Sequence, residues 1–183
     1  RRSVTSYGYN VVGIKNGWDG LISGDLEPLN LDLVSGILPK GGTILGTSRK
    51  NPLRSPESCE KIRENIKKFD LGALIVIGDE DALQVGHEFG RQGIGVVGIP
   101  KTIDNDIYGT DFTFGFDTAV GIVTEAVDRL HSTAEAHHRV MVLEVMGRNT
   151  GWIAVTAGMA GGADCILIPE IPGSVKQVIE LIE

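Results

Sequence analysis

The sequence predicts an α/β fold of doubly wound, mostly parallel sheets with helices on both faces. Three observations predict it. Short apolar runs alternate with amphipathic stretches along the whole chain, the periodicity of strand followed by helix. The run Ala73-Leu74-Ile75-Val76-Ile77 is continuously apolar, as in a parallel strand covered on both faces. Glycine supplies 25 of 183 residues, about twice the usual ~7%, which suits tight turns and close backbone approach to a ligand. In such sheets crossovers are right-handed and ligands gather at the carboxyl ends of strands.

Taken in order, Val11 to Ile14 reads as a short strand, followed by the turn Asn16 to Gly20. Leu31 to Leu38 is predicted as a short helix stopped by Pro39, and Thr43 to Leu45 as a strand between glycines. Ser55 is placed to cap a helix with Pro56 at its first position. Cys59, Ile62, Ile66 and Phe69 then recur at the spacing of one helix face. After the Ala73–Ile77 strand, Ala82 to Gln92 is predicted helical and Val96 to Ile99 a strand. A polar loop runs from Pro100 to about Phe114. Phe116, Ala119, Val120, Val123, Val127 and Leu130 mark a long helix. Val140 to Val145 is predicted as a strand, Gly151 to Gly161 as a small-residue helix and Cys165 to Ile168 as a strand. A last helix begins at Ser174. No internal repeat and no linker of biased composition interrupts this pattern.

Composition excludes several classes of function. The net charge is −7, and no Lys/Arg cluster offers the basic face of a nucleic-acid binder. No apolar run approaches membrane-spanning length. Arg1-Arg2-Ser3-Val4-Thr5 lacks the apolar core of a secretory signal, so a cytoplasmic location is expected. Two cysteines and four histidines without H-E-x-x-H make neither a disulfide framework nor a zinc enzyme. Gly93-Ile94-Gly95-Val96-Val97-Gly98 matches G-x-G-x-x-G but overlaps a strand, whereas a dinucleotide fingerprint follows one and opens a helix. A nicotinamide-binding domain is therefore disfavoured.

Four strand-end loops carry polar chemistry. Gly46 to Pro52 holds Arg49 and Lys50 after a Gly/Ser turn, which suits a phosphate or simply a solvated basic loop. Gly78-Asp79-Glu80-Asp81 sets three carboxylates after a buried strand. They suit Mg²⁺ with substrate phosphates, or an acidic helix start. Pro100-Lys101-Thr102-Ile103-Asp104-Asn105-Asp106 combines a cation, a hydroxyl and two acids. Here a carboxylate can take a proton from a substrate hydroxyl, or the loop is an Asx-stabilised turn. Met146-Gly147-Arg148-Asn149-Thr150-Gly151 places an arginine between glycines ahead of a helix, an anion clamp. Together the loops contain what phosphoryl transfer requires: cations for phosphates, acids for a metal and a carboxylate base.

At these loops the chain resembles the phosphofructokinase family. The matching stretches are GGTILGTSR, ALIVIGDEDAL, GIPKTIDNDIYGTDFTFGFDTAV, EAVDRLHSTAEAHHR, EVMGRNTGW and GGADCILIPE, in family order over almost the whole chain. The resemblance implies phosphoryl transfer to O1 of fructose 6-phosphate, with Asp104 as the base and Asp106 as a second acid of the loop. It implies sugar-phosphate contacts from Thr102, Ile103, Met146, Gly147 and Arg148. Arg139 matches an arginine that reaches a neighbouring subunit's site, which implies a homo-oligomer with shared active sites. Glu80 matches the family's Mg²⁺-binding acid. Arg49, Gly78, Asp81 and Lys101 match the donor-binding positions. Residues 1–114 correspond to the phosphoryl-donor domain and residues 115–183 to the start of the sugar-phosphate domain.

Asp81 and Lys101 favour pyrophosphate over ATP. ATP-dependent members usually carry glycine at the first position and often at the second. A carboxylate at Asp81 crowds and repels the α-phosphate of ATP, while Lys101 stabilises the phosphate that leaves when pyrophosphate is cleaved. ATP is the alternative donor. The chain departs from the family at Asp79, where a second glycine is usual, and at Ala82, where a threonine or serine is usual. It begins after the family's first strand and glycine-rich phosphate loop and ends before its second half. An internal fragment truncated at both ends is therefore expected, with weak or no turnover by itself. A catalytically silent phosphate-binding or regulatory subunit is the competing expectation, motivated by Asp79, Ala82 and the missing phosphate loop and opposed by Asp104, Arg148 and Glu80.

Overall fold

The computed structural model describes residues 1–171 and 173–182. The elements run α1 (Arg2–Thr5), β1 (Val12–Ile14), α2 (Trp18–Ser23), β2 (Leu26–Pro28), α3 (Pro56–Lys68), β3 (Leu74–Gly78), α4 (Glu80–Arg91), β4 (Val96–Thr102), β5 (Phe114–Gly115), α5 (Phe116–His137), α6 (Trp152–Gly161) and α7 (Val175–Ile182). A short 3₁₀ turn at Pro52–Arg54 precedes α3. The chain divides into two compact units. One comprises Arg1–Val76 with Gln84–Val97, the other Ile77–Leu83 with Gly98–Glu183.

In the first unit, β1 and β2 pair antiparallel with Gly13 opposite Glu27. The core is Leu21, Ile62, Leu74, Val85 and Phe89, flanked by Ile14, Trp18, Cys59, Ile66 and Val76. The Trp18 and Phe89 rings lie 5.8 Å apart. The helix signals around α3 hold. Ser55 accepts the Ser58 N–H at 3.3 Å, Pro56 sits in the first turn and Ile62 is fully buried. Phe69, last on that face, closes the helix and stays 37% exposed. From the same helix, the Asn65 amide donates to the carbonyls of Leu21 and Ile22 at 2.9 and 3.0 Å, satisfying the end of α2.

In the second unit, β4 and β5 run parallel, with Lys101 opposite Phe114 and Thr102 opposite Gly115. The order of the sheet is β3-β4-β5. Helices α5 and α6 pack closely because α6 offers small residues. A Cβ at Gly161 would meet Val127 at 2.8 Å, and the His131 ring nitrogen lies 2.7 Å from the Gly161 carbonyl. Phe116, Ile153 and Ala157 are buried here. The overlapping glycine motif leads into β4 rather than opening a helix.

Four element expectations are corrected. Residues 31–38 form turns, because Asn30 accepts the Leu33 N–H at 2.8 Å and Gly36 takes φ +68°, both competing with helix. Residues 43–45 form a turn whose Leu45 carbonyl accepts one bond, from Asn16 at 2.7 Å. Residues 140–145 and 165–168 are not strands. The second contributes only an isolated bridge between Ile168 and Ile171. Apolar runs need a ladder partner, and among the described residues these find none. The expected double covering of β3 is also incomplete: Leu74 is buried, but Ile75 and Ile77 are 64% and 61% exposed.

Candidate active site

The first component is the junction of β3 with α4. Gly78 is buried, and a Cβ there would stand 2.5 Å from the Cβ of Ala82. Glycine and alanine thus let the helix begin directly at the strand end. Asp79 accepts the Ala82 N–H at 3.1 Å, and its carbonyl accepts the Leu83 N–H at 3.0 Å. It is a helix cap, so the acidic-start reading holds for this residue. Glu80 and Asp81 follow in the exposed first turn, where the helix dipole offsets their charge. Among the described residues no group of three or more His, Cys, Asp or Glu side chains could hold a metal. A magnesium ion held by one carboxylate and completed by substrate phosphates and water does not need such a group. Glu80, exposed and in no salt bridge among the described residues, fits that mode.

The second component follows β4. Thr113, buried at 4% exposure, donates its hydroxyl to the Thr102 carbonyl at 2.7 Å. Asn105, at φ +54°, accepts the Thr113 N–H at 2.9 Å and donates to the Asp111 carbonyl at 3.2 Å. These bonds fold the polar loop back onto the end of β4. The expected Asx turn is corrected: Asn105 bonds six and eight residues along the chain, and the local turn is made by Thr102, whose hydroxyl accepts the Asp104 N–H at 3.2 Å. The neighbouring Asp104 carboxyl takes no part in these bonds. Asp104 Oδ1 is buried and has no hydrogen-bond partner among the described residues. Burial pushes the carboxyl above its ordinary range. The nearby Asp106 charge adds to the rise, and Arg148 opposes it.

The third component is the turn before α6. Gly147 takes φ +148°, and a Cβ there would fall 2.3 Å from the Thr150 carbonyl, so a side chain is excluded. Arg148 also has positive φ, +42°, and is exposed. Thr150 N–H donates to the Gly147 carbonyl at 2.8 Å. The Gly151 N–H, at the start of α6, donates to Glu170 at 2.8 Å.

A cleft of about 410 Å³ opens here, lined by Asp79, Lys101, Thr102, Ile103, Phe114 and Gly115. The residues preceding Glu80 and Asp104 in the chain therefore share one opening, and the field at Asp104 includes Arg148. Gly78, Glu80 and Asp81 belong to the α4 start beside it. Met146 is 74% exposed and Asp106 is exposed. Arg139 stands apart, just beyond α5. A helix of 22 residues is about 33 Å long, so Arg139 lies far from the α5 start at Phe116. Arg49 is exposed and belongs to the first unit. Sequence reasoning passed over Asn105, Thr113, Phe114 and Thr150 as parts of the site. The polar loop around Asn105 was a visible signal, whereas the Thr150 contact, which spans 46 residues, left none.

The chain matches the family described as Phosphofructokinase over residues 1–183. It is 56% identical over 183 residues to a pyrophosphate--fructose 6-phosphate 1-phosphotransferase of Amycolatopsis methanolica, covering all of this chain and 54% of that protein. It is 49% identical over 195 residues to an ATP-dependent 6-phosphofructokinase 2 of Clostridium perfringens, covering all of this chain and 53% of that protein. Among solved structures, Pichia pastoris phosphofructokinase in the T-state superposes with TM-score 0.84 at 28% identity, over 95% of this chain and 19% of that one. A pyrophosphate-dependent phosphofructokinase from Marinobacter aquaeolei superposes with TM-score 0.82 at 25% identity, over 98% of this chain and 49% of that one. The chain spans about half the length of the curated relatives it matches.

Proposed function

Because the chain belongs to the phosphofructokinase family, we propose that it carries the catalytic loop of an enzyme transferring a phosphoryl group from pyrophosphate to O1 of fructose 6-phosphate. The products are fructose 1,6-bisphosphate and phosphate. The observation that carries this reading is the Asp104 carboxyl, with one oxygen buried and unpartnered beside the cleft lined by Lys101, Thr102 and Ile103. A carboxylate spent on structure would have a hydrogen-bond partner. One left without a partner, and raised in pKa, is suited to accept a proton at neutral pH.

In this reading Asp104 takes the O1 proton as O1 bonds to phosphorus, and the bond from that phosphorus to the bridging oxygen breaks. Lys101 donates to the phosphate that leaves. Arg148, with the backbone of Met146 and Gly147, holds the sugar phosphate alongside Thr102 and Ile103. Glu80 is the carboxylate that would hold Mg²⁺, which supplies charge neutralisation at the transferring phosphate when bound. Asp106 keeps Asp104 from losing its proton affinity to Arg148. Residues 1–114, with Arg49, Gly78 and Asp81, serve the donor, and residues 115–183 open the sugar-phosphate domain. The remoteness of Arg139 from the start of its own α5 supports its use in the site of a second subunit. That use implies a homo-oligomer with shared sites, and a cytoplasmic location is proposed alongside it.

ATP is the second reading for the donor, because relatives of both donor types match this chain at comparable identity. The silent-subunit reading loses one of its motives, since Asp79 is accounted for as a helix cap. The test is Mg²⁺-dependent formation of fructose 1,6-bisphosphate by the complete protein with pyrophosphate and with ATP. Turnover with pyrophosphate, running in both directions, is expected. Turnover with ATP alone contradicts the donor assignment, and sugar-phosphate binding without turnover under either donor favours the silent subunit.

A further inference from the structure

We propose that Thr150 is a positioning residue, whose hydroxyl ties the loop of Asp104 to the turn of Arg148 so that base and anion clamp keep one geometry. The catalytic consequence rests on the phosphoryl-transfer reading; the coupling of the two loops does not. Thr150 Oγ1 donates to the Asp104 carbonyl at 3.1 Å and lies 3.3 Å from the Gly147 carbonyl. A threonine that merely closed its own turn would need only the second contact. The first joins residues 46 positions apart.

The surroundings make this bond matter. On its other side Asp104 donates its N–H to Thr102 Oγ1 at 3.2 Å, and Thr102 is held in turn by Thr113. The main chain of Asp104 is thus gripped at both its amide and its carbonyl, while its Oδ1 is left without a partner. Polar groups are spent on the backbone and withheld from the carboxyl, the arrangement that orients a base without occupying it. On the Arg148 side, the Thr150 N–H holds the Gly147 carbonyl at 2.8 Å, and the absence of a Cβ at Gly147 fixes how closely the turn winds. Arg148 sits between these two anchors. One hydroxyl proton therefore references the clamp to the base.

The test compares Thr150→Val, which keeps the shape and removes the hydroxyl, with Thr150→Ser, which keeps the hydroxyl. Amide hydrogen exchange is followed over residues 102–106 and 147–151, and steady-state kinetics in the complete enzyme. Thr150→Val is expected to raise exchange in both segments together by about 3- to 10-fold, the loss of one net hydrogen bond. Its kcat should fall roughly 10- to 100-fold through misplacement of the base, with KM for fructose 6-phosphate changed far less. Thr150→Ser should restore both. Exchange that stays at wild-type level in the 102–106 segment of Thr150→Val overturns the inference. So does a loss of kcat that serine does not rescue. If the wild-type enzyme turns over no sugar phosphate, the functional reading fails instead, and the paired exchange result still decides the coupling.

Discussion

Asp79 closes the first turn of α4 by accepting the N–H of Ala82 at 3.1 Å. This turns a departure from the family pattern into a helix cap. Replacing Asp79 with Ala should cost about 0.5–2 kcal/mol of stability, while Gly in its place should cost only a few tenths. Thermal unfolding of the two variants checks the order. Equal and negligible losses would mean that the cap contributes nothing.

Gly147 is required by its backbone. Alanine there must adopt φ +148° with its Cβ against the Thr150 carbonyl at 2.3 Å. Strain of about 1–3 kcal/mol is expected, released by distortion of the Arg148 turn. Circular dichroism should be unchanged, and KM for fructose 6-phosphate should rise, since the turn holds the sugar phosphate in our reading.

In our reading, donor choice is set by charge at Asp81 and Lys101. The pair Asp81→Gly with Lys101→Gly should shift the kcat/KM ratio toward ATP by roughly tenfold or more, the effect of removing one repulsion of about 1.4 kcal/mol. Initial rates with each donor read this directly. An unchanged ratio would place donor selection elsewhere.

The burial that raises Asp104 also sets a pH dependence of stability. In the folded state its carboxyl binds a proton more tightly than in the unfolded chain. Its favourable contribution is complete below the unfolded carboxylate pKa and is lost as pH rises through the raised folded value. Asp104→Asn removes this cost of burying a charge. Its melting temperature should therefore exceed that of the wild type at neutral pH, and the gap should close below about pH 4. A gap that widens in acid would contradict the burial argument.

The elements legible in the sequence were those whose signals agree with one another. Around α3, Ser55, Pro56 and the Ile62 face all point to one helix. The apolar run of β3 and the overlapping glycine motif before β4 were equally readable. Residues 140–145 and 165–168 misled because apolarity reports capacity to form a strand, while a ladder needs a neighbour. The stretch at Leu31 to Leu38 misled because Asn30 and Gly36 compete locally for the backbone. At the candidate site, residue types marked the loops to which our reading assigns the chemistry. What they could not show was how polar groups are shared out. Asp79 is used by a helix, Asn105 by its own loop, and Thr150 by a carbonyl 46 residues away. Asp104 Oδ1 alone among these is left unpartnered.

The rate of phosphoryl transfer by Asp104→Asn in the complete, Mg²⁺-supplied enzyme tests the central claim most directly. A fall in kcat of roughly 10²- to 10⁴-fold, with KM for fructose 6-phosphate little changed, is the behaviour of a lost general base. The wild-type rate should itself decline as pH falls through the raised pKa of Asp104. An asparagine variant that keeps the wild-type kcat within a few-fold, with the same acid limb, would show that the proton of O1 goes to another group.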